Sequence, residues 1–126
     1  MRVLHCLHNY HPARGGAEWL MKNVSERLAG RGHEVTVIAS NALSVEDYVL
    51  PGRGRPPLPA GEETLNGVRL RRVPFSRTGV RAWNALRAVA TRLPTRPGER
   101  LRALSWGPRS RRYYPEARAV DCDLIA

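Results

Sequence analysis

The chain has 126 residues, 42% of them hydrophobic, enough for one domain with a core and too few for two full lobes with a cleft between them. Its formal net charge of +10 sits in one half: residues 1–66 hold 7 basic and 7 acidic side chains, residues 67–126 hold 14 and 4. Of 21 basic residues only Lys22 is lysine, beside 11 Gly and 10 Pro, a bias that fits GC-rich coding as well as an anion-attracting face, so charge alone names no partner.

In chain order, Arg2 to Leu7 is a short apolar run that predicts a strand buried on both faces, as parallel sheets require. It is too short and too soon broken for a signal peptide or a spanning helix, which leads to the expectation of a cytoplasmic protein. Pro12 ends the run within His8-Asn9-Tyr10-His11-Pro12. From Ala17 to Ala29 the residues Ala17, Leu20, Met21, Val24 and Leu28 recur at helical spacing, predicting an amphipathic helix with that stripe on a sheet; Gly30 and Gly32 mark its stop. Val35 to Ala39 is rich in β-branched residues and predicts a second strand, parallel to the first across a βαβ crossover.

Residues 40–65 break this pattern. Pro51 to Pro59 is a proline-glycine stretch that predicts an exposed, mobile loop. Asn66-Gly67 is a turn dipeptide, and Val68 to Val73 alternates apolar with basic residues, predicting a strand with one wet face near the sheet edge. Val80 to Leu93 can be helical, with Ala82, Leu86, Val89, Ala90 and Leu93 on one stripe, and a shorter helix is expected around Glu99 to Trp106. Cys122 to Ala126 has the character of another buried strand. Cys6 and Cys122 lack any ligand spacing and are expected as buried, reduced thiols. The predicted fold class is α/β, a Rossmann-like parallel sheet with flanking helices, and a last strand without its following loop is expected of a partial domain.

Parallel α/β sheets bind ligands at the carboxyl ends of their strands. The first loop there, Leu7 to Ala17, closes on Gly15-Gly16, where the backbone can approach a ligand and the following helix presents unpaired N–H groups. That pair fits either a simple turn or a phosphate site. No Gly-x-x-x-x-Gly-Lys-Ser/Thr run and no Gly-x-Gly-x-x-Gly follows the first strand, and Ala39-Ser40-Asn41 offers no acid for a ribose hydroxyl, which argues against a dinucleotide dehydrogenase.

The opening Met-Arg-Val-Leu-His, then Tyr10-His11-Pro12, Gly15-Gly16-Ala17-Glu18 and Arg31-Gly32-His33-Glu34-Val35 resembles the start of glycosyltransferase family 4. The match covers residues 1–39 well and residues 66–75 and 120–126 loosely. The resemblance implies that residues 1–126 are a partial amino-terminal, acceptor-side domain of a two-domain GT-B enzyme, with the donor-binding domain absent. It implies a retaining transfer from a nucleoside diphosphate-sugar donor to a sugar, lipid or other acceptor, without a bound metal or cofactor. By the same carry-over, Gly15 and Gly16 approach the donor diphosphate, and Tyr10, His11, Arg14 and Glu18 form the acceptor pocket. None of them is assigned as catalytic, and the fragment alone is expected to be inactive. Glu18 also suits the first helical turn through the helix dipole alone, and His33 and Glu34 belong to turn structure at the opposite end of the sheet. A basic surface would suit an acceptor held on an anionic membrane, placing the protein at its inner face. The rival reading is a small arginine-rich module for nucleic acid or anionic lipid, using Arg69, Arg71, Arg72, Arg109, Arg111 and Arg112 with Tyr113 and Tyr114 as stacking groups. The ordered motifs outweigh this diffuse charge, so no nucleic-acid partner is expected.

Overall fold

A computed structural model of the chain describes residues 1–44, 46–49, 55–76, 80–92, 99 and 110–126. Its elements are β1 (Arg2–Cys6), α1 (Gly16–Gly30), β2 (Glu34–Ser40), the short turn α2 (Glu46–Val49), β3 (Gly61–Leu65), β4 (Val68–Val73), α3 (Val80–Ala90), α4 (Tyr113–Arg118) and β5 (Leu124–Ile125). The five strands form one sheet in the order β3-β4-β2-β1-β5. β4, β2, β1 and β5 run parallel, and β3 pairs antiparallel with β4.

Register follows from which side chains are apolar, because a one-residue slip would turn every side chain to the other face. Val35 lies opposite Val68 and Val37 opposite Leu70. These, with Ala39 and Tyr10, form a buried cluster on one face, against which Leu28 and Ala29 of α1 pack. On the other face Leu4, Ile38 and Val73 are buried beneath Tyr113 and Ala117 of α4, with Cys6, Val120 and Cys122 alongside. The Tyr113 hydroxyl lies 2.9 Å from the Leu7 carbonyl oxygen and 3.1 Å from that of Ile38, and so donates to the ends of β1 and β2. Burial raises its phenol well above the ordinary value of 10.

α1 ends where the sequence says it should. Gly32 takes φ +84°, its N–H donates to Ala29 O, and the His33 N–H donates to Leu28 O, the paired bonds that close a helix on a left-handed glycine.

The sheet is mixed, where a parallel one was expected, and β4 is an inner strand flanked by β3. Asn66 (φ 49°) and Gly67 (φ 82°) both take positive φ, as a two-residue hairpin turn requires, so the turn dipeptide folds the residues before it back as a strand. β3 has no apolar alternation; its ladder to β4 holds it, Leu65 packs against the core, and ion pairs link the two strands from Glu62 to Arg71 and from Glu63 to Arg72 at 2.7 Å. The predicted loop is correspondingly anchored. The Leu58 N–H donates to Asn41 O (2.8 Å) and the Asn41 amide donates to Leu58 O (2.9 Å), although residues 51–54 lie outside the described residues. β5 is an exposed edge, not a buried strand, since Leu124 and Ile125 have β1 on one side only. The two cysteines are free but only half-buried. α3 is present, yet Ala82 and Val89 of its predicted stripe are exposed and only Ala90 is buried, while Leu93 and most of the helix expected at 99–106 fall outside the described residues. α4, six residues with Pro115 in its first turn, has no helical repeat long enough to announce it in the sequence.

α1 also sits differently from its apolar stripe. Ser25 is its buried residue, whereas Ala17, Leu20 and Val24 are exposed. A polar contact lies on the inward side beside Leu28 and Ala29: the Ser25 hydroxyl donates to Met21 O (2.7 Å), leaving its oxygen to accept from His5 Nδ1, 2.8 Å away and buried on β1. Desolvation holds the His5 imidazole below its ordinary 6.5, so the unfolded chain takes up a proton more readily than the folded one. Stability from neutral His5 is therefore full above pH 6.5 and declines as the pH falls through the folded value. We expect thermal unfolding midpoints to drop more steeply between pH 7 and 5 in the wild type than in His5→Gln; parallel curves would remove His5 from the account.

Candidate functional site

The strand order reverses direction at β1. The chain moves from β1 through α1 to β2 and β4 on one side, and returns past α4 to β5 on the other side of β1. A loop leaving the carboxyl end of a strand at such a reversal has no neighbouring crossover above it, which leaves a crevice. The loop Leu7 to Gly15 occupies that position. An open cleft of about 440 Å³ lies there, lined by His11, Pro12, Ala13, Arg14, Gly15, Glu18, Trp19 and Lys22.

Of the residues expected from sequence, His11, Arg14, Gly15 and Glu18 meet in this cleft. Tyr10 does not line it: the ring is 2% exposed within the core cluster, and its hydroxyl makes no hydrogen bond among the described residues. Burial pushes its phenol up, with Ser25 of α1 as the polar side chain acting against that shift. Gly16 does not line the cleft either, and a Cβ on it would meet nothing within 4 Å.

Neither glycine is demanded by backbone conformation. Gly15 has φ −157° and ψ 163°, extended geometry open to any residue, and Gly16 is the first residue of α1. Space does not demand Gly15 either: a Cβ there would meet Oε2 of Glu18, whose carboxylate folds back over it and, as the end of a flexible side chain, can swing aside. The first bond of the helix runs from the Trp19 N–H to Gly15 O (3.0 Å), and no side chain caps the end. The first turn thus keeps its N–H groups without a side-chain cap, at the positive end of the helix dipole, and Gly15 and Glu18 of that turn line the cleft.

The cations at the cleft differ. Lys22 pairs with Glu26 at 2.7 Å, and Asn66 also donates to that carboxylate, which Lys22 first and Asn66 second hold below the ordinary carboxylate value. Arg14 is exposed and has no ion-pair partner among the described residues. Arg72, from the far end of β4, reaches the loop: its guanidinium donates to His11 O at 2.9 Å while bound to Glu63. Nothing local in sequence announces that clamp, which joins residues 61 apart. Trp19 and Lys22 were also missed; an aromatic directly after Glu18 and off the apolar stripe was the available signal for Trp19. Among the described residues no group of three or more His, Cys, Asp or Glu side chains gathers as metal ligands would.

The basic residues of the second half do not form one open stripe. Arg71 pairs with Glu62 and approaches Glu116 at 3.9 Å, Arg72 pairs with Glu63, and Arg112 pairs with Glu116 at 2.8 Å. Tyr113 is committed to the strand ends, the exposed Tyr114 meets its ring edge-on at 5.9 Å, and Arg109 lies outside the described residues. No helix of the described residues is long and apolar enough to cross a membrane. Comparison of the chain with protein-family models, with curated proteins and with solved structures finds no match.

Proposed function

We propose that this chain is the Rossmann-like, acceptor-side part of a GT-B glycosyltransferase resembling family 4, a cytoplasmic enzyme that takes a sugar from a nucleoside diphosphate donor with retention. The observation that carries the reading is the meeting of His11, Arg14, Gly15 and Glu18 in one cleft, at the strand-order reversal and against an uncapped helix start. In this reading the free first-turn N–H groups and Arg14 hold the donor diphosphate. Glu18 must swing off Gly15 to admit it, which leaves its carboxylate free to accept a hydrogen bond from an acceptor hydroxyl. The donor's nucleoside and sugar contacts belong to a second domain, so the chain alone binds diphosphate and transfers nothing. The rival basic module is disfavoured because Arg71, Arg72 and Arg112 are already neutralised by acids.

Titration with inorganic pyrophosphate, followed by amide chemical shifts, tests the reading. Shifts are expected at residues 14–18, with binding about tenfold weaker in Arg14→Gln, the loss of a charge-assisted bond, and tighter in Glu18→Gln, which removes a like charge. Saturating pyrophosphate that leaves these amides unmoved, or affinity indifferent to both substitutions, refutes it.

A further inference from the structure

The outer face of α1 carries large apolar side chains that the fold leaves bare. Trp19 is 68% exposed, Leu20 55% and Val24 37%, and Arg27 and Arg31 are exposed on the same side of the helix. Taking 100° per residue, Trp19, Leu20, Val24, Arg27 and Arg31 fall within one outward arc, opposite buried Ser25. Both acids of the helix are drawn off that arc: Glu18 folds over Gly15, and Glu26 is held by Lys22 and Asn66. Neither Arg27 nor Arg31 has an ion-pair partner among the described residues.

A face of one tryptophan, two aliphatic side chains and two unpaired guanidinium groups, without an acid, complements a surface that is apolar below and anionic above. A second copy of the chain suits it poorly, because a two-fold contact would bury the arginines of both copies with no acid on either face to pair them. We propose that the outer face of α1 docks on an anionic lipid surface, with Trp19, Leu20 and Val24 entering the headgroup boundary and Arg27 and Arg31 contacting lipid phosphates. Trp19 belongs both to this face and to the cleft, so docking brings the mouth of the cleft to the lipid surface. The docking stands apart from the transferase reading, since it needs neither donor nor catalysis, and vesicle binding and pyrophosphate binding are separate readouts.

The test is co-sedimentation of the chain with vesicles of phosphatidylcholine containing about one-third phosphatidylglycerol, beside pure phosphatidylcholine. Binding is expected to the anionic vesicles only. It should fall about 30-fold in Arg27→Gln/Arg31→Gln, from two lost surface charges, and about tenfold in Leu20→Gln/Val24→Gln. Wild-type tryptophan emission should shift to the blue on binding, and Trp19→Phe should bind without that shift. All substitutions are at exposed positions, and unchanged circular dichroism and melting identify folded variants; the arginine pair and the aliphatic pair test the face independently. Equal binding to both vesicle types, no binding, or anionic binding indifferent to both double variants overturns the proposal. Tighter binding of duplex DNA through Arg27 and Arg31 would also overturn it, by identifying a nucleic acid as the occupant.

Discussion

Asp47→Ala is expected to cost about 3 kcal/mol of stability and to lower the melting temperature by about 10 °C, although Asp47 lies outside the core and the cleft. Asp47 is 3% exposed, and its carboxylate accepts three backbone N–H bonds, each 2.9 Å long: Leu43 and Ser44 donate to one oxygen and Arg55 to the other. Alanine leaves those donors without the charged acceptor they are folded around. The carboxylate thus ties the chain leaving β2 to the chain entering β3, next to the Asn41–Leu58 pair that makes the same connection. Burial raises the pKa of Asp47, but the N–H groups of Arg55, Ser44 and Leu43 outweigh it and hold the group below its ordinary 3.8. The contribution is therefore complete above pH 3.8 and is lost as the pH falls through the folded value. Denaturant unfolding of Asp47→Ala and Asp47→Asn, with hydrogen exchange at the Leu43, Ser44 and Arg55 amides, checks this: alanine should lose most, asparagine less. A loss under about 1 kcal/mol for alanine would show that the three donors find water without penalty.

Leu70→Ala should be of similar size, about 3 kcal/mol, because it opens a cavity that the sheet cannot close. Leu70 is fully buried, opposite Val37 in register, in the cluster that Leu28 and Ala29 of α1 cover. β4 sits between β2 and β3, so neither neighbour can shift to fill the void without breaking ladder bonds. The comparison that makes the result diagnostic is Leu124→Ala on the exposed β5 edge, where 49% of the residue already meets water and the cost should stay below about 1 kcal/mol. Denaturant melts of both variants with unchanged slopes measure the difference. Equal losses would mean that β5 carries as much of the core as β4, contrary to the burial observed.

Where local signals agreed with one another, the sequence alone was sufficient. The β-branched runs at Val3 and Val35 to Ile38, the helical spacing between them and Gly32 at the helix stop led to β1, α1 and β2 in parallel, and the fold keeps all of these. Short-range residues of the loop before α1 also come together: His11, Arg14, Gly15 and Glu18 line one cleft, while Tyr10 and Gly16 do not.

The rest depended on partners distant in the chain. β3 has no apolar pattern because it is an edge strand, paired with β4 alone through the Asn66-Gly67 turn, with Glu62 and Glu63 facing Arg71 and Arg72. Tyr10 lies inward as part of the core cluster, and periodicity says nothing of a single residue in a loop. The rotation of α1 puts Ser25 against His5 and Leu28 on the core, and leaves Leu20 and Val24 outside. Sequence determined which segments become strands and helices, because propensity and spacing act within a few residues. Only the tertiary structure decided which side of α1 faces the sheet and which side chains surround Gly15, because burying one polar pair competes with burying an apolar stripe, and that balance exists only once both surfaces meet.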